Sequence, residues 1–146
     1  MYSVIEQKII DEFINHFSEV DANTVSTSLD EMLTNVFSGE KRYGILVEFN
    51  GANKASREPF KRMVWTINVD CILFIRLSDS TDMETIEDDL RVVINKMFSL
   101  FSDNPRLDGT VAKVELIDIG RPEPSKVNDI PFYVLPFIIE VILPPQ

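Results

Sequence analysis

The sequence predicts an α+β fold in which a four-stranded, mixed or mostly antiparallel sheet carries helices on one face. Apolar residues recur at helical spacing in three segments and alternate with polar residues in four others. These segments follow one another in the order α-α-β-β-α-β-β. The 146 residues show no internal repeat and no linker, which predicts a single domain over 1–146, with a helical part at 1–40 and the strands at 41–146.

Three segments carry the helical pattern. Residues 3–18 place isoleucines and phenylalanines on one side and charged residues elsewhere. A short second helix is predicted at 29–37, because Ser28 stands at its N-cap position and Gly39 follows its last apolar residue. The main helix is predicted at 82–102, before the stop formed by Asn104-Pro105.

The first two strands are predicted to form a hairpin. Residues 45–50 alternate, and residues 63–77 place apolar side chains at every odd position. The polar and basic stretch 50–60 between them is expected to be a long flexible arm. Ile72 and Phe74 make the other face of the second strand apolar toward one end, and we expect a second subunit to cover that end.

Two further strands are predicted near the C-terminus. The segment 110–119 alternates and then shifts phase by one residue after Leu116, which predicts a bulge. Residues 120–130 are expected to be a loop. The segment 132–143 is apolar on both faces, and Pro136 within it predicts an edge position or a bulge.

The charge is acidic and unevenly distributed. There are 14 basic and 24 acidic residues, a net charge of −10, which disfavours a general nucleic-acid binder or a membrane-surface protein. The sums are −7 over residues 1–40, +4 over 41–62, −5 over 63–104 and −2 over 105–146. Patches of opposite sign on one chain suit head-to-tail self-association.

Motifs for catalysis or cofactor binding are missing from the sequence, so we expect no enzyme activity, no catalytic residue, no metal and no cofactor. Neither phosphate-binding glycine loop occurs. His16 is interpreted as a histidine at a helix edge, and the lone Cys71 as a buried, inert thiol. Trp65 is interpreted as a core residue, with an interface anchor as the alternative. No signal peptide or membrane span is recognisable, which predicts a protein of the cytoplasm.

An acidic cluster marks the start of the main helix. Three interpretations stay open: electrostatic stabilisation of the helix start, a divalent-ion site, or a negative surface that lines a passage for DNA. The cluster consists of Asp79, Asp82, Glu84, Glu87, Asp88 and Asp89.

A basic group occupies the expected arm between the first two strands. It is interpreted as a solvated loop, as an arm that orders against an acidic neighbour, or as a nucleic-acid contact. Its members are Lys54, Arg57, Lys61 and Arg62.

From residue 40 to about 143 the pattern resembles the tail terminator, or tail completion, proteins of long-tailed bacteriophages and prophages. The resemblance is carried by the hairpin RYGILVEFNGANKASREPFKRMVWTINVDCILFIRL, the helix TDMETIEDDLRVVINKMFSLF, the segment NPRLDGTVAKVELIDIG and the strand IPFYVLPFIIEVIL. The short helix at 29–37 departs from that pattern.

The resemblance implies a subunit that is monomeric in solution and forms a six-membered ring at the head-proximal end of the tail tube. The ring would stop tube polymerisation, contact the tail tube protein and the head connector, and let DNA pass without specific binding. The implied location is the virion, with assembly in the host cytoplasm. The interface would include Lys54, Arg57, Lys61, Arg62, Ile72 and Phe74, and the lumen or partner surface Glu84, Glu87, Asp88 and Asp89.

Two alternatives stay open. One is a head-tail connector or neck (head completion) protein, which also forms rings around DNA. The other is a small-ligand-binding domain with a ferredoxin-like core, although the leading helices and the hairpin argue against it.

Overall fold

The computed structural model describes residues 2–39, 41–56, 63–77 and 83–144. Within them the chain forms three helices and a mixed six-stranded sheet. The four-stranded sheet and the element order predicted from the sequence are therefore wrong. The elements are α1 (Tyr2–His16), β1 (Val25–Ser26), α2 (Leu29–Ser38), β2 (Tyr43–Ser56), β3 (Met63–Arg76), α3 (Met83–Met97), β4 (Lys113–Ile119), β5 (Glu123–Val127) and β6 (Ile130–Ile142).

The sheet is built around the long strands β3 and β6. Its order is β1-β2-β3-β6-β4, and β5 pairs with β6 beyond the end of β4. The pair β1 and β2 is parallel, and the other described pairs are antiparallel. Strands β4 and β5 thus follow one another along the same side of β6.

The sequence pattern missed β1 and β5 for different reasons. Strand β1 has two residues, too few to show an alternation. Strand β5 lies in the expected loop 120–130, and its polar residues Glu123, Ser125 and Lys126 give no apolar pattern. Two residues with positive φ, Asn128 (51°) and Asp129 (64°), join β5 to β6 as in a type I′ hairpin turn.

The expected flexible arm at 50–60 is replaced, as far as the chain is described, by a continued strand. Residues Ala52–Ser56 pair with Met63–Ile67 after a register shift between Phe49 and Ala52. Asn50-Gly51 therefore lies at a bulge instead of opening a turn. The segment 57–62 lies outside the described residues.

Pro136 lies opposite the gap between β4 and β5, so the predicted edge position holds for one side of this residue, although β6 is an interior strand of the sheet. It pairs with Ile72 of β3 on one side. On the other side its carbonyl accepts from the Gly120 amide at 2.7 Å, in the gap between β4 and β5. The proline has no N–H for that side, which explains why the neighbouring strand is interrupted there. A Cβ on Gly120 would lie 2.7 Å from Pro136 Cγ, so the close approach favours glycine.

The helices lie on both faces of the sheet, which corrects the prediction of one helical face. Helices α1 and α3 pack against the face that carries Ile45, Val69 and Phe137, here called the covered face. Helix α2 packs against one end of the opposite face, here called the open face. Its Met32, Leu33 and Val36 join Leu46, Phe74 and Phe132 in a second, smaller apolar cluster.

The predicted phase shift in β4 is confirmed, whereas the predicted end of the main helix is wrong. The register of β4 against β6 shifts between Leu116 and Asp118, so Ile117 is the extra residue of a bulge. Helix α3 ends at Met97 instead of continuing to 102. The chain then turns through Phe101, whose φ of 70° directs it back toward the core, where its ring lies 6.3 Å from that of Phe13.

Candidate interaction surfaces

The open face of the sheet is acidic away from α2. Strand pairing brings two like-charge pairs directly opposite each other, Glu48 with Asp70 and Glu115 with Glu140. Asp118 of β4 belongs to the same face, because it pairs with Ile138 next to Glu140 on β6. These side chains are exposed or half-buried. The strands therefore assemble a continuous negative surface from residues that are far apart in sequence.

Two of these carboxylates have partners on the same face. Lys113 Nζ lies 3.2 Å from Glu115 Oε2, and the Asn50 side-chain amide donates to Asp70. Like charges directly opposite each other on a sheet are destabilising. Half-buried Ile72, Ile138 and Ile142 lie on the same face. Such a surface repels phosphate groups and attracts basic partners.

The described acidic side chains of α3 differ in exposure and in partners. Glu87 and Asp88 are exposed, and Asp88 is paired with Arg91 at 2.9 Å. Asp89 is half-buried near Tyr43, whose pKa is raised by burial and then by the negative charge of Asp89. The side chain of Glu84 and the whole of Asp79 and Asp82 lie outside the described part of the chain.

The predicted interface residues lie in different environments. Phe74 is buried, with its ring 5.8 Å from that of Phe132, so the chain's own α2 cluster covers it where a second subunit was expected. Ile72 is half-buried beside that cluster. Lys54 belongs to β2, opposite Trp65, while Arg57, Lys61 and Arg62 fall outside the described residues.

Trp65 is not a core residue, which corrects the first interpretation of it. It is 40% exposed, at the end of β3 beyond the apolar core. The alternative, an anchor for an interface, stays a prediction.

The two candidate nucleophile or base residues occupy structural positions. His16 ends α1, and its Nε2 lies 2.6 Å from the Lys96 carbonyl of α3; a carbonyl only accepts, so Nε2 donates. Cys71 is buried in the covered face, and burial raises the pKa of its thiol well above the usual value. The predicted burial of this thiol is confirmed, and its inertness stays a prediction.

A groove that the sequence analysis missed runs between α3 and β4. Its volume is about 420 Å³, and it is lined by Ile94, Phe98, Leu116, Ile117, Asp118 and Ile119. Phe98 is 73% exposed and Ile117 is 47% exposed. Strand β4 is the last strand of the described sheet, and on its outer side the Val114 amide donates to the Pro105 carbonyl at 2.8 Å.

Two apolar residues that do not follow the pattern of their segments were the sequence signal for this groove. Phe98 does not belong to the core stripe of the main helix, which runs through Ile94, Met97 and Phe101. Ile117 is the residue at which the alternation of β4 changes phase. A bulky residue outside its element's pattern faces solvent or a partner.

No group of three or more histidine, cysteine, aspartate or glutamate side chains within the described ranges is arranged to hold a metal ion. Nor is any of the described helices long and apolar enough to cross a membrane. No protein-family model matches the chain, and no curated protein matches it.

Proposed function

We propose that this chain is a structural subunit of a phage tail, a tail terminator that assembles as a ring on the head-proximal end of the tail tube. The proposal assigns it no catalysis and no cofactor. Its partners are copies of itself, the tail tube protein and the head connector. Its location is the virion, after assembly in the host cytoplasm.

The observation that carries the proposal is the acidic open face. A ring through which DNA moves needs a wall that does not bind phosphate, and a dense negative surface meets that need. The like-charge pairs Glu48–Asp70 and Glu115–Glu140 lower the stability of the isolated subunit, which makes sense if the face serves another purpose.

We assign the open face to the axis of the ring in preference to α3. On α3, Asp88 pairs with Arg91 at 2.9 Å, and Asp89 is half-buried. The open face brings together the carboxylates of Glu48, Asp70, Glu115, Asp118 and Glu140, and Lys113 pairs with Glu115 there. Among the described side chains, the open face therefore groups more carboxylates than α3 does.

Charge also supports head-to-tail contacts between subunits. Residues 41–62 carry a net charge of +4, whereas residues 63–104 carry −5. Contact between a basic segment of one copy and an acidic surface of the next generates a ring when the rotation closes.

The test of ring assembly is the double variant Lys54→Glu with Arg57→Glu, mixed with cognate tail tubes and sized by light scattering and electron microscopy. We expect rings with the unmodified protein and a large loss of rings with the variant. The control, Arg121→Glu with Lys126→Glu, makes the same change in net charge on the β5 side. Unchanged assembly of the Lys54/Arg57 variant rejects the role of the basic segment.

Deletion of the gene tests the biological role. We expect tails of uncontrolled length that fail to join heads. Tails of normal length that join heads would reject the proposal, and binding of the protein to DNA-filled heads but not to tail tubes would favour a neck protein.

A further inference from the structure

We infer that the end of the β2–β3 hairpin of one copy, with Trp65 and the basic residues beside it, docks in the groove between α3 and β4 of the next copy. This inference rests on the head-to-tail contact of the proposed function and names the two surfaces that form it. It is carried by the exposed apolar groove, by the position of the hairpin in the sheet and by the charges of the two surfaces.

The hairpin continues beyond the rest of the sheet. The described pairing of β3 with β6 ends at Thr66, and the Trp65 carbonyl accepts one further hydrogen bond, from the Leu143 amide at 2.9 Å. Strands β2 and β3 still pair with each other as far as Ser56 and Met63. The described end of the hairpin is therefore a two-stranded ribbon that extends past β6.

The ribbon carries a large aromatic side chain among basic residues. Trp65 is 40% exposed, whereas Ile67, two residues further along the same face of β3, is buried. Lys54 pairs with Trp65 across the ribbon. The sequence that connects the two strands adds one more aromatic and three more basic residues to a single acidic one: Phe60, Arg57, Lys61, Arg62 and Glu58. Tryptophan and arginine are among the residue types that most often contribute binding energy at protein interfaces.

The groove between α3 and β4 has the complementary character. Its volume of about 420 Å³ is enclosed mainly by apolar side chains, and Phe98 and Ile117 are the exposed ones among them. Asp118 borders the groove, is exposed, and takes part in none of the ion pairs found among the described residues. Glu115 lies nearby and is paired with Lys113. An apolar groove with an acidic border fits an aromatic side chain flanked by basic residues.

The hairpin of one chain points away from the groove of the same chain. Strand β3 pairs with one side of β6 and β4 with the other, so the ribbon and the groove lie on opposite sides of the sheet. Along β6, Ile119 of the groove is level with Phe137, whereas the ribbon extends past Thr66, which is level with Ile142. The occupant is therefore a second copy. Two different surfaces on opposite sides make a head-to-tail contact, which forms a ring when the rotation closes.

Crosslinking between two cysteine variants tests the inference. Ser56→Cys places a thiol at the end of the ribbon and Ile117→Cys places one in the groove. Equal amounts of the two variants, one of them tagged, are treated with a short bifunctional thiol reagent with and without tail tubes. The matched control replaces Ile117→Cys with Val92→Cys, an exposed residue of α3 that does not line the groove. The unmodified protein measures the background from the buried Cys71.

We expect about tenfold more mixed dimer from the groove pair than from the control pair, because docking raises the effective concentration of the two thiols. Equal yields from the two pairs, both with and without tubes, overturn the inference. Crosslinks from the ribbon to the tube protein in place of the groove also overturn it, since the tube would then be the occupant.

Two substitutions locate the contact. Phe98→Ser in the groove variant and Trp65→Ala in the ribbon variant should each lower the yield of mixed dimer about tenfold. Val92→Ser in the groove variant is the control and should leave the yield unchanged, and circular dichroism verifies that each variant folds. An unchanged yield with Phe98→Ser overturns the groove as the site.

Electron microscopy of the same samples separates this inference from the proposed function. Closed rings on tail tubes without selective crosslinking overturn the inference and leave the proposed function standing. Selective crosslinking that yields open chains and no ring on the tubes supports the contact and rejects the proposed function.

Discussion

The two faces of the sheet are formed by the same strands but differ in burial and in charge. On the covered face, Cys71, Phe137 and Ile139 are almost completely buried under α1 and α3. One residue along the same strands, Asp70, Ile138 and Glu140 face outward and remain partly exposed. The alternation of side chains in a strand thus separates a stabilising core from a surface that is charged at some cost in stability.

The largest effect is expected from the covered face. Phe137→Ala removes a ring that packs 5.9 Å from that of Phe13, and we expect a loss of about 3–5 kcal/mol in the free energy of unfolding. Urea denaturation measures the loss. Phe98→Ala, at a 73% exposed position, is the control and should change stability by less than about 0.5 kcal/mol. Similar losses in both variants would contradict the division of the sheet into two faces.

The second largest loss of stability is expected where α2 packs against the open face. A Cβ on Gly44 would collide with Met32 Sδ and approach Val36 Cγ2 to 2.9 Å, so α2 packs on β2 at a glycine. We expect Gly44→Ala to cost about 1–3 kcal/mol through overpacking. Hydrogen exchange should accelerate in α2 more than in α1. Faster exchange confined to α1 would show that α2 is not held at this position.

A smaller and opposite effect is expected on the acidic part of the open face. Glu48→Gln removes the repulsion with Asp70, and we expect a gain of about 0.2–1 kcal/mol at low ionic strength. The gain should shrink in high salt because these charges are partly exposed to solvent. Glu123→Gln is the control, since Glu123 pairs with Val134 and has no carboxylate opposite. A loss of stability in Glu48→Gln would contradict the repulsion.

The smallest effect concerns a surface ion pair that connects α1 to the turn before β4. Lys8 Nζ lies 2.8 Å from Asp108 Oδ2, and this hydrogen bond lowers the pKa of Asp108. Its stabilisation is therefore present above the ordinary carboxyl pKa of 3.8 and is lost as the pH falls through the lowered value. Denaturation of Asp108→Asn should show a small deficit at neutral pH that disappears in acid. An unchanged deficit in acid would exclude the ion pair as its cause.

Sequence patterns predicted the parts of the fold that depend on regular burial. The odd-numbered apolar residues correctly predicted the long strand β3. The phase shift after Leu116 correctly predicted the bulge in β4. Strand β5 could not be predicted in this way, because its side chains are polar and its place depends on pairing with β6. The length of β2 likewise depends on the backbone of β3, not on its own side chains.

The candidate surfaces were harder to predict than the fold. The acidic open face joins Glu48, Asp70, Glu115 and Glu140, which become neighbours only through strand register. By contrast, the acidic run of α3 is conspicuous in sequence, but of its described side chains Glu87 and Asp88 are exposed whereas Asp89 is half-buried. For this reason, acidic residues that are close in sequence did not identify a shared surface.

The assembled state tests the central claim most directly. Electron cryomicroscopy of the protein bound to cognate tail tubes would show which surface of the sheet lines the axis. We predict a closed ring whose open face, with Glu48, Asp70 and Glu140, points toward the passage for DNA. A ring lined by α1 and α3, or a protein bound to the tube without closing a ring, would contradict it.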